Sequence, residues 1–354
     1  MDSSKNAGNE PGPIALFGSG ETSPSGQKIF TEIFKRLPHS PAVSILETPA
    51  GFELNSMQVA RRVEEFLIHN LQNFSPRTNL VPARKRGTNY SPDDPGIAAA
   101  LLTADLIFMG PGSPTYAVRQ LRNSLVWDYL VARHRLGAGL ALASAATVAI
   151  GAYALPVYEI FKVGEDIHWK PGLDFFAAYG WSLVFVPHWN NQEGGTDLDT
   201  SRCFIGRERF DLLVEKLPEN ITVVGIDEKT GLIFDFEEER CLVVGKGNVT
   251  VISHGKEEIF NTSTKFPMHV LGGYHLPEAL AEIPEIARQA VMAASSQSAA
   301  PVEPTEEVQR LVRMREAARQ RRDWRKADDL RRRIHAMGWL VVDTKEGTVV
   351  RKEN

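Results

Sequence analysis

The stretch Gly139-Leu140-Ala141-Leu142-Ala143-Ser144-Ala145-Ala146 reads as an apolar strand that ends on a serine and passes straight into an Ala-rich helix. A strand with no polar side to offer water is buried on both faces, the condition of a parallel sheet covered by helices. A serine at such a crossover is held with its hydroxyl above the sheet, and small neighbours permit the sharp turn. Runs of the same kind lie at Ile14–Phe17, Ala42–Leu46, 105–109 and Leu183–Val186, with helical periodicity over 55–71 and 115–135. From 221 to 253 the runs are closely spaced, with turn signals at Lys229-Thr230-Gly231 and Gly245-Lys246-Gly247-Asn248. The expected architecture is α/β: a mostly parallel sheet flanked by helices, with an antiparallel extension.

The 354 residues are 43% hydrophobic and 24% charged, which suits globular chains and excludes fibrous and disordered classes. No run approaches the roughly 18 apolar residues of a membrane span, the most apolar region, 137–156, being broken by Ser, Thr and Gly. Residues 1–12 are polar and turn-rich, carry no apolar run of signal-peptide type, and read as a loose tail. Cys203 and Cys241 cannot make a disulfide framework or a four-sulfur zinc site, so a cytoplasmic protein is expected.

The net charge of −4 is unevenly spread, because residues 305–354 hold 14 Lys and Arg against 9 Asp and Glu. Residues 290–304, rich in Ala and Ser with two prolines, read as a flexible linker between a domain over 13–289 and a module over 305–354.

Three further features of the large domain sit at strand ends. Gly18-Ser19-Gly20-Glu21 follows the first strand; it lacks the glycine spacing of a dinucleotide fingerprint and the Gly-Lys-Ser/Thr of a phosphate loop, so a plain turn is an equal reading. Met109-Gly110-Pro111-Gly112-Ser113-Pro114 is a rigid loop able to aim amides at an oxyanion. His188, in Val186-Pro187-His188-Trp189, and the acids of Gly225-Ile226-Asp227-Glu228 give the order Ser, His, acid that a triad on an α/β sheet requires. Glu165, Asp166, His168 and His188 suit a metal by side-chain type, but no metal-ligand spacing accompanies them, and Cys203 lacks the turn of a nucleophile. No metal or other cofactor is expected.

At these residues the sequence resembles the cyanophycinase and α-aspartyl dipeptidase family of serine peptidases, relatives of the class I glutamine amidotransferase fold, over about 13–285. The resemblance implies Ser144 as nucleophile, His188 as general base, Glu228 as orienting acid, and the amides of Gly112 and Ala145 as oxyanion hole. Glu21 corresponds to the acidic residue of the family's first loop. Asp227 is the second choice of acid, because neighbours on a strand face opposite ways. The family's Gly-x-Ser-Ala-Gly departs here to Leu142 and Ala146 at the two glycines. A Cβ at either place crowds the turn, which keeps open a second reading, a non-catalytic RNA-binding or scaffold protein. Between base and acid, Asn190 to Gly195 and Arg202, Arg207 and Arg209 read either as a specificity loop gripping a carboxylate or as a solvated loop. The expected substrate is a small peptide or other acyl compound, an aminoacyl ester on RNA being one choice; the number of subunits is left open.

The terminal module reads as two helices, one capped at Thr305 and one over 324–337 stopped by Gly338, then a hairpin turning through Lys345-Glu346-Gly347. Residues 310–333 carry 11 Lys and Arg against 4 Asp and Glu. With Arg315-Glu316-Ala317-Ala318-Arg319, Ala327-Asp328-Asp329-Leu330-Arg331, Gly338-Trp339, Asp343-Thr344 and Gly347-Thr348, it resembles the C-terminal tRNA-contacting module of cysteinyl-tRNA synthetases. None of the synthetase core motifs accompanies it. The resemblance implies tRNA as a partner, through Arg315, Arg319, Arg322, Arg331 and Arg332 on phosphates and Trp324 or Trp339 in stacking. A module used for protein contacts is the alternative.

Overall fold

The computed structural model describes residues 10–299, 304–344 and 347–352. Five strands, β1 (Ile14–Phe17), β2 (Ala42–Leu46), β3 (Arg77–Val81), β4 (Leu106–Met109) and β5 (Gly139–Ala143), pair in parallel in the order β1-β5-β4-β2-β3. A short ribbon of β6 (Tyr153–Ala154) and β7 (Lys170–Pro171) follows, then β8 (Leu183–Val186) and β9 (Thr222–Ile226), paired in parallel in a second sheet. β10 (Thr230–Asp235) and β11 (Arg240–Gly245) form a hairpin that joins β1 antiparallel, β12 (Asn248–Ser253) and β13 (Lys256–Asn261) extend β9 antiparallel, and β14 (Lys265–Pro267) ends the first sheet beside β11. The first sheet thus has eight strands in the order β14-β11-β10-β1-β5-β4-β2-β3 and the second has four, β13-β12-β9-β8. The antiparallel extension is therefore shared between two sheets, and β8, expected in the main sheet, heads the other.

β1 and β5 are buried at every position. Leu142, central in β5 between Leu16 and Met109, is fully buried, a burial of about 1.5–3 kcal/mol. Three helices of this unit begin at serines: Ser23, Ser113 and Ser124 accept from the amides of Gly26, Tyr116 and Trp127 at the starts of Pro24–Phe34, Pro114–Leu121 and Leu125–Arg135. The helical stretch expected over 115–135 is two helices, parted at Asn123, whose φ of +55° no helix continues.

Two expected segments differ. Of the loose tail, Pro11 and Gly12 are buried and the Gly12 amide donates to the His134 carbonyl at 2.9 Å; residues 1–9 lie outside the described residues. The segment read as a flexible linker from 290 is helical through its first ten positions, in a helix Glu285–Ala299. Its alanines, read as small and unpackable, are the strongest helix formers; residues 300–303 lie outside the described ones.

The chain divides into two units between Ser295 and Ser296. In the second, Thr305 caps the helix Glu306–Gln320 and Asp323 caps Trp324–Ala336, which ends before Gly338 at φ +77°. β15 (Trp339–Thr344) and β16 (Gly347–Lys352) form the expected hairpin; Lys345 and Glu346 of its turn lie outside the described residues. Val308, Leu311, Leu330, Ile334, Trp339 and Val341 make its core.

Candidate active site

Ser144 stands between β5 and the helix Ala145–Ala149 at φ +53°, ψ −109°, a conformation that costs a side-chain-bearing residue of order 1–3 kcal/mol. The surroundings hold it there. Its amide faces the Phe17 carbonyl at 3.4 Å, and Thr147 Oγ1, one turn on, reaches the Phe17 carbonyl at 3.0 Å and the Leu142 carbonyl at 2.8 Å. Leu142 and Ala146, in place of glycines, are fully buried, and the turn keeps its sharp geometry with both Cβ atoms present.

The other two groups come from the second sheet. His188 follows β8 with φ +52°, its amide donating to the Gly18 carbonyl at 3.1 Å. Glu228 follows β9, and the Asn190 side-chain oxygen receives its amide at 2.8 Å. Ser144 Oγ lies 3.1 Å from His188 Nε2, and His188 Nδ1 lies 2.9 Å from Glu228 Oε1. Asn191 Nδ2 donates to the same carboxylate oxygen at 2.9 Å. The hydrogen bond with His188, helped by that from Asn191 and the nearby Lys229 charge, holds the Glu228 carboxyl below its ordinary range despite partial burial. An ionised Glu228 fixes Nδ1 as the protonated nitrogen and leaves Nε2 free to accept from the serine hydroxyl. Asp227 is turned away: its carboxylate receives the Asn248 amide at 2.8 Å, and burial raises its pKa.

A cavity of about 390 Å³ opens over Ser144, with Gly112, Ala145 and His188 on its wall. Ala145 is the first residue of its helix, so its amide has no intrahelical acceptor. Gly112 has φ +143°, and a Cβ there would stand 1.9 Å from the Pro49 carbonyl oxygen, so only glycine fits. Amides at these two places can meet an oxyanion formed at a carbonyl bound over Ser144.

The expected substrate contacts fall elsewhere. Arg202 lies over the Trp189 ring at 3.7 Å and donates from its guanidinium to the Trp189 carbonyl at 3.0 Å. Arg209 Nε donates to the Ile205 carbonyl at 2.7 Å, and Arg207 starts a helix with its amide on the Asp199 carboxylate at 2.7 Å. Neither these nor Glu21 nor Asn190 lines the cavity; a flexible guanidinium takes the ring or carbonyl its own loop offers first. Gly18 serves packing, since a Cβ there would meet the Asp227 carbonyl oxygen at 2.0 Å. The wall includes Glu193 and Gly194 of the expected loop and, unanticipated, Val157, Tyr158, Phe161 and Lys162 of a π-helical segment, Glu159–Val163 with its approach. A π-helical turn is a frequent mark of functional sites, but sequence carries no signal for it.

Cys203 is on the wall, but burial pushes its thiol up to about 12, so it stays protonated and is no rival nucleophile. His168 contacts the Asp166 carbonyl and Glu165, apart from the His188 site, and among the described residues no three His, Cys, Asp or Glu side chains gather as a metal site.

In the second unit, Arg322, Trp324, Arg331 and Arg332 are exposed and Arg319 is half-buried. Arg315 and Trp339 are buried, on the inner side with Leu311 and Ala318 and in the core respectively, which removes both from the surface set expected to meet RNA.

Residues 303–351 match the family described as the cysteinyl-tRNA ligase anticodon binding domain. The cysteine–tRNA ligase of Methanosarcina acetivorans is 51% identical over 47 residues, 13% of this chain and 10% of the ligase, and that of Methanosarcina mazei is 48% identical over 46 residues with the same shares. The chain thus spans about a tenth of the length of the curated relatives it matches. A crystal structure of a peptidase from an acI-B1 Actinobacterium superposes with a TM-score of 0.59 at 19% identity, covering 73% of this chain and 98% of that one, a likeness of fold. No helix among the described residues is long and apolar enough to cross a membrane. The chain joins a peptidase-like α/β fold to a C-terminal module similar to the anticodon-binding domain of cysteinyl-tRNA ligases.

Proposed function

We propose that the large unit is a serine hydrolase transferring an acyl group to water. The carrying observation is the hydrogen-bonded series Ser144 Oγ, His188 Nε2, His188 Nδ1, Glu228 Oε1 at 3.1 and 2.9 Å, on a strained serine facing a cavity. Ser144 Oγ attacks the substrate carbonyl while His188 Nε2 takes its proton, and the amides of Gly112 and Ala145 receive the oxyanion. His188 returns the proton to the leaving amine or alcohol. Water, deprotonated by His188, then attacks the acyl ester and restores the serine.

The test is labelling by a fluorophosphonate. The folded protein should take one label on Ser144, and Ser144→Ala none. A folded protein that takes no label supports the rival reading of a non-catalytic scaffold.

The terminal module we read as a tRNA-binding unit, supported by its similarity to an anticodon-binding domain and by its exposed arginines. On this reading the protein works where tRNA is found, the cytoplasm being the compartment we propose, and a small peptide, another acyl compound or an aminoacyl ester on RNA would be the substrate. Loss of tRNA affinity on truncation after Ala299, with steep weakening as salt rises, is the expected result; equal affinities would remove this partner.

A further inference from the structure

The cavity over Ser144 has a wall unlike one made for a charged substrate. Val148, Val157, Tyr158, Phe161, Leu198 and Phe204 contribute to it. Phe161 and Phe204 lie with ring centroids 5.4 Å apart, and Phe204 lies 5.7 Å from the His188 ring. Tyr158 and Leu198 are 40% and 50% exposed, large apolar groups left facing solvent beside the nucleophile. Such side chains are covered when a ligand arrives.

The charges of the wall balance. Lys162 and Glu193, both exposed, are its one cation and one carboxylate. Lys162 Nζ already lies over the Phe161 ring at 5.0 Å. Of the arginines in the neighbouring loop, Arg202 is engaged with Trp189 and Arg209 with a backbone carbonyl, and Arg207 does not line the cavity. Arg202, Cys203 and Phe204 all have positive φ, of 56°, 58° and 69°, and this turn sets Cys203 and Phe204 on the wall while the Arg202 guanidinium is held on Trp189. An acidic side chain entering here would lose water without gaining a bidentate partner.

We propose that the substrate carries a bulky apolar side chain, of aromatic size, next to the carbonyl that Ser144 attacks. The proposal rests on the hydrolase reading above. A carbonyl held at the Gly112 and Ala145 amides has its adjacent side chain within reach of the cavity, whose 390 Å³ admits an aromatic ring. Phe161 and Phe204 are then specificity-determining residues: they offer ring faces and edges to the incoming group.

The probes are the p-nitrophenyl esters of N-acetyl-phenylalanine and N-acetyl-aspartate, with the full chain and with Ser144→Ala as the blank. The phenylalanyl ester should lead by about tenfold or more in kcat/KM, and Phe161→Ala should narrow that ratio. Equal rates, or a lead for the aspartyl ester that Lys162→Ala abolishes, overturn the apolar assignment; the fluorophosphonate label on Ser144 would still form and the hydrolase reading would stand. Absence of the label in the folded protein removes the hydrolase reading and the proposal with it.

Discussion

His188 Nδ1 lies 2.9 Å from a Glu228 oxygen that also receives Asn191 Nδ2 at 2.9 Å, so the acid is oriented by two donors from one loop. Replacing Glu228 by Gln keeps the shape and removes the charge that favours the Nδ1 proton. On the proposed mechanism kcat should fall by roughly 10²- to 10⁴-fold in Glu228→Gln. Asn191→Ala, which removes only one positioning bond, should cost less. Steady-state hydrolysis of an activated ester measures both, and a Glu228→Gln enzyme of full activity would disprove the role of the acid.

Gly112→Ala places a Cβ against the Pro49 carbonyl and forces a left-handed residue to carry a side chain. The loop must move, taking the amide with it. We expect a loss of stability above about 2 kcal/mol and a fall in kcat of about 10²-fold or more, checked by urea denaturation and by rates on the folded fraction.

Ala146→Gly restores one glycine of the family pattern. Since Ser144 already holds φ +53° with Ala146 in place, the change should not speed fluorophosphonate labelling, while a helical glycine costs about 1 kcal/mol. A large gain in labelling rate would show that the alanine had been restraining the turn.

His134 is fully buried, with Nε2 2.7 Å from the Tyr179 hydroxyl, and burial pushes its pKa down to about 3. The folded value lies below that of the unfolded chain, so the unfolded chain binds the extra proton. This contribution is intact above the unfolded imidazole's pKa of about 6.5 and is lost as pH falls toward 3, at about 1.4 kcal/mol per pH unit. Urea midpoints of the protein and His134→Gln between pH 7.5 and 5 should converge; parallel acid losses in both would refute it.

Arg331→Ala should lower tRNA affinity and reduce the slope of log affinity on log salt by about 0.7–0.9, because Arg331 is exposed and the expected contact is a phosphate. Arg315→Ala should instead lower the thermal stability of the module, its side chain being buried. Titrations of a fluorescent tRNA and thermal melts separate the two effects.

The bounds of β1, β2, β5 and β8 are those expected from their apolar runs, because burial on both faces writes itself into consecutive residues. β3 was not legible. Its burial alternates from exposed Arg77 to buried Val81, and Arg-Thr-Asn becomes a strand through pairing with β2, at the sheet edge. Nor could the apolar run of β8 say which sheet would hold it.

Sequence alone determined the strands β1, β2, β5 and β8, the cap at Thr305, the crossover that carries Ser144 and the order of the three groups, since these follow from sterics and periodicity over a few residues. Tertiary structure decided that Ser144, His188 and Glu228, 44 and 40 positions apart, meet within hydrogen-bond reach. It also sent Arg202 to Trp189, buried Arg315, and brought Phe161 to the cavity. Where a long side chain points depends on which distant segment packs beside it, and that is fixed only when the sheets and their connections close on one another.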